Sequence, residues 1–142
     1  MYTGLQHLHS YLAYLVIFGL IVGIVNGLAG WFKERSFEER DRKLALPGLI
    51  MTHLQLLFGL ILYFVSPLGW GDLSGSAMGD PVSRLYVLEH PLTMIIAVVM
   101  VTVGYSRAKK PAEDKKRFRS HWLYYSIGLA LMLSRIPWQA WP

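Results

Sequence analysis

Apolar residues along this chain arrive in four blocks, from about His9 to Phe32, Leu44 to Val65, Leu85 to Tyr105 and Ser120 to Trp138, with polar stretches between them. Each block is roughly 20 residues, the length an α-helix needs to cross about 30 Å of hydrocarbon at about 1.5 Å per residue. Backbone groups in lipid must bond internally, so each block is read as a helix. This holds even for IIAVVMVTV, a run that favours a strand in water. The pattern predicts an all-α integral membrane protein whose single transmembrane domain, residues 1–142, is a four-helix up-and-down bundle. The first block has no basic leader before it and no small-residue cleavage site after it, so it is expected to stay as a membrane helix.

Charge then orients the bundle. Of the 14 Lys and Arg, about 12 fall in the first and third connections, Lys33 to Lys43 and Ser106 to Ser120, which alternation puts on one side. The positive-inside rule places that side in the cytoplasm, with both termini and the Gly/Ser/Pro/Asp-rich connection Ser66 to Ser83 outside. The expected location is a membrane with those two connections on its cytoplasmic face. A net charge of +5 could suggest nucleic acid, but the cations sit where topology signals and lipid headgroup anchors belong, so no nucleic-acid partner is expected. Trp31, Phe32, Trp70, Trp122, Trp138 and Trp141 fall near predicted interfaces, where amphipathic rings are favoured. Cysteine is absent, which excludes disulfides, cysteine-ligated clusters and thioether-linked haem.

Polar residues inside the apolar blocks carry the remaining functional information. Of the five histidines, His9, His53, His90 and His121 can be assigned one to each helix, while His7 reads as an interfacial side chain. On the first helix His9 shares a face with Val16 and Gly23, beside Gly19, Gly27 and Gly30, and His7 points the other way. On the third, His90 lies in line with Tyr86, Thr93, Ala97 and Gly104. On the fourth, His121 lies in line with Tyr125, Gly128, Met132 and Arg135, and His53 projects from the second near Thr52 and Leu56. Glycines such as Gly23 and Gly128 admit either a flat cofactor or a neighbouring helix. Inward histidines without an acidic metal cluster fit haem, whose iron takes imidazole from two helices. In a bundle with helices one and three on a diagonal, His9 and His90 form an outer pair and His53 and His121 an inner pair, for one or two haems roughly 20 Å apart.

The segments HLHS, THLQLLFGLILYFVSP, EHPLTM and SRIPW resemble small bacterial membrane proteins described as cytochrome b, a likeness that covers most of the chain. The resemblance implies haem b, electron transfer, and His9, His53 and His90 as the first ligands to carry over. In architecture the chain is also similar to b561-type cytochromes and to one half of haem A synthase. Glu89 and Arg135 lie inside apolar blocks and are expected to pair, since each alone is costly there. Alternatively Arg84 or Arg135 holds haem propionates, or Glu89 relays a proton or binds a quinol hydroxyl. Pro91 should bend the start of the third helix, Pro47 and Gly48 mark the start of the second, and Pro137 the end of the fourth. Quinol, a larger respiratory complex, a second copy of the chain and membrane lipid are the expected partners. Two rival readings are a haem-free accessory or assembly subunit and a small enzyme that modifies haem or quinol.

Overall fold

The computed structural model describes residues 2–142, which are all-α, with no strand among them. Four long helices carry the fold: α1 (Tyr2–Phe32), α2 (Glu39–Val65), α5 (His90–Lys109) and α6 (Asp114–Ser134). Between α2 and α5 the chain makes a 3-10 turn (Trp70–Asp72), two short helices, α3 (Gly75–Gly79) and α4 (Pro81–Arg84), and a π turn (Leu85–Glu89). Three stretches are long and apolar enough to cross a membrane: α1, α2 and the continuous helix Pro81–Lys109. This is a membrane protein by that measure, and the fourth long helix, α6, opens on the charged run DKKRFR.

The helices pack in a ring, α1 on α2 and α6, and α5 on α2 and α6. This leaves α1 across from α5 and α2 across from α6. Neighbours run antiparallel. At one end Trp141 Nε1 donates to Ser10 O at 3.0 Å and Ser66 meets the Tyr2 hydroxyl, so the N-terminal region, the C-terminal segment and the α2–α5 connection share that end. At the other end Lys115 Nζ lies 2.7 Å from Glu34 Oε1, joining the two basic connections. That ion pair holds the Glu34 carboxyl below the usual carboxylate range.

The basic end is the tightly packed one. The buried face of α1 is Val16, Gly19, Leu20, Gly23, Gly27 and Gly30, the line expected from seven-residue spacing. The glycines are needed for close approach: a Cβ on Gly19 would lie 2.9 Å from Gly48 Cα, and one on Gly23 would lie 2.8 Å from the Tyr125 ring. Tyr125 is fully buried and donates to Ala45 O at 2.8 Å, so its hydroxyl ties α6 to α2. Asp41 is also fully buried. It accepts from Asn26 Nδ2 at 3.0 Å, from Arg35 Nη1 at 3.0 Å and from the Glu38 backbone N–H at 2.9 Å. The bond to Asp41 holds the Arg35 guanidinium above its ordinary value. Phe37 and Phe118 close this end, with Arg117 over the Phe37 ring at 4.0 Å and Arg35 over Phe118 at 4.7 Å.

Several expected boundaries move. α1 begins at Tyr2 and not near His9, and α2 begins at Glu39 and not near Leu44, because polar turns extend the apolar helices into the interface. Pro47 therefore lies inside α2 and does not mark its start, while Gly48 serves the contact with Gly19. α6 begins at Asp114 and stops at Ser134, three residues before Pro137. Pro137 lacks the N–H that would reach Leu133 O four residues earlier, and the Trp138 Nε1–H takes that carbonyl instead at 3.2 Å.

Candidate functional site

The end where the termini meet is open where the basic end is filled. A cavity of about 240 Å³ lies between all four long helices there, walled by Val16 of α1, Leu56 and Gly59 of α2, Met94 of α5 and Met132 of α6. His9 and His90 both line it. Their ring centres are 6.3 Å apart across the diagonal of the ring, with the planes at 78°. Because α1 starts at Tyr2, His9 lies about two turns in from the helix end.

Each ring is set by contacts of its own. His90 Nδ1 lies 2.7 Å from the carbonyl oxygen of Arg135. A carbonyl can only accept, so Nδ1 carries the proton and Nε2 keeps its lone pair. Such a hydrogen bond on the remote nitrogen is what orients histidines that bind metals. His9 stands over Gly59, where a Cβ would come within 2.9 Å of the ring, so glycine makes the space that the imidazole fills. Gln55 Nε2 donates to His9 O at 2.9 Å and stands 3.4 Å from His9 Nε2, whereas His9 Nδ1 is buried with no partner. Two imidazoles on opposite faces of one iron, at about 2 Å per metal–nitrogen bond, have ring centres about 6 Å apart. The observed spacing and the unused nitrogens fit that arrangement. No group of three or more His, Cys, Asp or Glu suited to a bare metal ion exists among the described residues.

The π turn Leu85–Glu89 delivers His90 to this position. Pro91 has no N–H, so the Val87 carbonyl four residues earlier loses its helical partner. Tyr63 of α2 replaces it, its hydroxyl donating to Val87 O at 3.0 Å. The widened turn, in which the His90 N–H reaches Leu85 O, accommodates the proline ring without breaking the helix. The expected disturbance at Pro91 is thus a π turn bridged from α2.

Arg84, Glu89 and Arg135 form one cluster, next in sequence to the cavity-lining His90 and Ile136. Arg84 Nε lies 2.8 Å from Glu89 Oε1 and Arg135 Nε lies 3.4 Å from Glu89 Oε2, so the expected pairing of Glu89 with Arg135 is made and Arg84 joins it. None of the three lines the cavity, although Ile136, next to Arg135, does. The cluster carries one positive charge in excess.

The expected inner pair is not brought together. His53 is exposed on the outside of the bundle, its Nδ1 2.8 Å from Leu49 O and its Nε2 3.3 Å from Thr102 Oγ1. His121 is fully buried among Phe37, Tyr105 and Tyr125, and both its nitrogens lack partners. The inward line of α2 runs through Asp41, Ala45, Gly48 and Thr52, and His53 lies about 100° around the helix from Thr52. Gly23 and Gly128 do not reach the cavity either. Gly23 admits the Tyr125 ring and Gly128 the Val101 side chain, where a Cβ would lie 2.7 Å from Cγ2. Gln55, Gly59 and Tyr63 are site residues that the polar pattern alone did not single out. A neutral amide in an apolar helix, at a phase opposite to His53, is the signal that Gln55 offered.

Comparisons with protein-family models, curated proteins and solved structures give no match.

Proposed function

We propose that the protein is a b-type haem-binding electron carrier of a bacterial cytoplasmic membrane, with one haem between His9 and His90. In this reading α6 is the fourth span, the termini lie outside and the basic connections lie in the cytoplasm, as the asymmetry of Lys and Arg favours. The observation that carries it is the approach of two imidazoles to 6.3 Å across the bundle, inside an apolar cavity bounded by all four helices.

Haem, when bound, supplies a one-electron couple whose potential follows its axial ligands and the polarity around them. The chain's own residues do the rest. His9 and His90 would hold the iron, and the Arg135 carbonyl fixes the His90 tautomer. Gly59 and Gln55 set the His9 ring, Met94 and Met132 wall the cavity, and Arg84 and Arg135 would offer cations to the haem carboxylates. Electrons would pass to or from quinol or a larger respiratory complex.

A reduced-minus-oxidised absorption spectrum of the purified protein, with haem stoichiometry, tests this. About one b-type haem per chain is expected. Wild-type protein without haem would point instead to the accessory-subunit reading. Reporters fused at Gly75 and at residue 142 should be external, and one within Lys109–Arg119 cytoplasmic.

A further inference from the structure

Past Ser134 the chain leaves α6 as an irregular segment, Arg135–Trp141, and four of its residues, Ile136, Pro137, Ala140 and Trp141, line the cavity. The segment is fixed at two points, one beside each of the facing histidines. At its start the Arg135 carbonyl, outside the helix, accepts from His90 Nδ1 at 2.7 Å. At its far end the Trp141 indole N–H donates to Ser10 O at 3.0 Å, one residue along α1 from His9. The Trp141 ring also lies against Tyr14 of α1, with ring centres 4.5 Å apart. The other bonds stay inside the segment or return to α6: Trp138 N–H to Ile136 O, Ala140 N–H to Pro137 O, and Trp138 Nε1 to Leu133 O. Among the described residues, Trp141 thus makes the one hydrogen bond from residues 136–141 to another helix.

This gives Trp141 an effect beyond its own contact. A carbonyl inside a helix is aimed by the helix, whereas Arg135 O turns with the soft torsions on either side of its planar peptide. The Arg135 side chain meets Glu89 Oε2 at 3.4 Å, but a long flexible stem separates that ion pair from the backbone. Pro137 stiffens the middle of the segment, and only the Trp141 anchor closes it onto α1. We infer that Trp141 is a positioning residue: Arg135–Trp141 is a strap latched on the helix of His9, and the latch aims the carbonyl that holds the His90 ring. The consequence for haem rests on the reading above. A closed latch keeps His90 Nε2 turned to the iron, and a released one lets the ring turn away and leaves that face of the iron open to a small ligand.

The test reads the strap first without haem. In haem-free protein in phosphatidylethanolamine/phosphatidylglycerol nanodiscs, the His90 ring-nitrogen resonances should show one tautomer, with the proton on Nδ1. Trp141→Ala should turn this into a mixture of tautomers. In haem-loaded, reduced protein, carbon monoxide should bind poorly to the wild type and several-fold better to Trp141→Ala. Haem loss to an excess of apo-globin should be about three- to tenfold faster in Trp141→Phe, which keeps the ring and loses one hydrogen bond, and faster still in Trp141→Ala. Tyr14→Leu removes the ring under the latch without touching the cavity, and should act in the same direction more weakly. Retained helicity shows that the variants fold. A wild-type His90 tautomer in both Trp141 variants overturns the proposal even if haem loss accelerates, since the strap would then merely cover the cavity. Wild-type protein that takes up no haem refutes the haem reading alone, because the nitrogen resonances still decide the latch. Haem-loaded protein whose His90 signals ignore Trp141 refutes only the latch.

Discussion

The two ends of this bundle treat their histidines in opposite ways. At the basic end His121 is fully buried and its ring touches Phe37, Tyr105 and Tyr125, with protein on every side. At the other end His9 and His90 face one another across a cavity. What separates them is the space the neighbouring helices leave. Gly19, Gly23 and Gly30 let α1 press directly onto α2, Tyr125 and Phe118, so helix–helix contact uses up the volume. Past Val16 the α1 face changes to Ala13, Ser10 and His9, the facing Gly59 of α2 receives the His9 ring and not helix backbone, and the cavity opens. A histidine in a membrane helix thus becomes a candidate ligand through the packing around it more than through its own depth.

The largest contrast should come from removing the rings themselves. His90→Ala and His9→Ala are each expected to abolish the haem spectrum, whereas His53→Leu keeps the full complement. Haem content per chain in the purified variants measures this. A full complement in both His9→Ala and His90→Ala would end the ligand assignment, whatever the wild type binds.

Stability should show the reverse asymmetry. Asp41→Ala removes a fully buried carboxylate together with its bonds to Asn26, Arg35 and the Glu38 N–H, and a hydrogen bond to a charged group is worth about 1.5–3 kcal/mol. Glu89→Ala, in the partly exposed cluster at the open end, should cost clearly less. Unfolding of both variants in the same mixed micelles compares them directly, and an equal or larger loss for Glu89→Ala would mean that the filled end does not anchor the fold.

The same substitution at two glycines sharpens the comparison. Gly23→Ala places a methyl 2.8 Å from the Tyr125 ring, in a region with no room to yield, and overpacking of this kind costs about 1–3 kcal/mol. Gly59→Ala places one 2.9 Å from His9 Cε1, where the ring can tilt into the cavity. Gly59→Ala should therefore lower haem occupancy while barely moving stability, and Gly23→Ala should do the opposite. Matching effects of the two on both readouts would erase the distinction between the ends.

Much of this division is legible along the chain. Seven-residue spacing marks the buried faces of α1 and α6, including Gly23, His121, Tyr125 and Gly128, because those helices turn one continuous stripe to their neighbours. His9 and His90 are likewise visible as polar groups on inward faces. The orientation of His53 is not, since the phase of one helix leaves open where its neighbours sit, and only the α1–α2 contact at Gly19 and Gly48 settles it. Asp41 looks like a loop charge until the start of α2 at Glu39 carries it inside. The apolar pattern alone places helix ends poorly because polar turns such as Glu39–Lys43 and Asp114–Arg119 remain helical beyond the apolar blocks. Tyr63 escapes notice for a different reason: its partner, the Val87 carbonyl, is vacated by a proline on another helix.

That bond supports the smallest effect and a specific one. Val87 is buried, so its carbonyl, left without a helical N–H by Pro91, has no access to water. Tyr63→Phe removes the hydroxyl and little else, and should cost about 1 kcal/mol, the usual net value of one hydrogen bond. Haem content should stay at the wild-type level, because the aromatic ring still lines the cavity. The attribution to Pro91 has its own test. Pro91→Ala restores a backbone N–H that can serve the Val87 region, so in that background Tyr63→Phe should cost less, giving a coupling of at least about 0.5 kcal/mol between positions 63 and 91. Unfolding free energies of the two single variants, the double variant and the wild type close the cycle. If Tyr63→Phe costs as much in the Pro91→Ala background as in the wild type, Tyr63 is not compensating for the proline, and the open end holds His90 in place by some other contact.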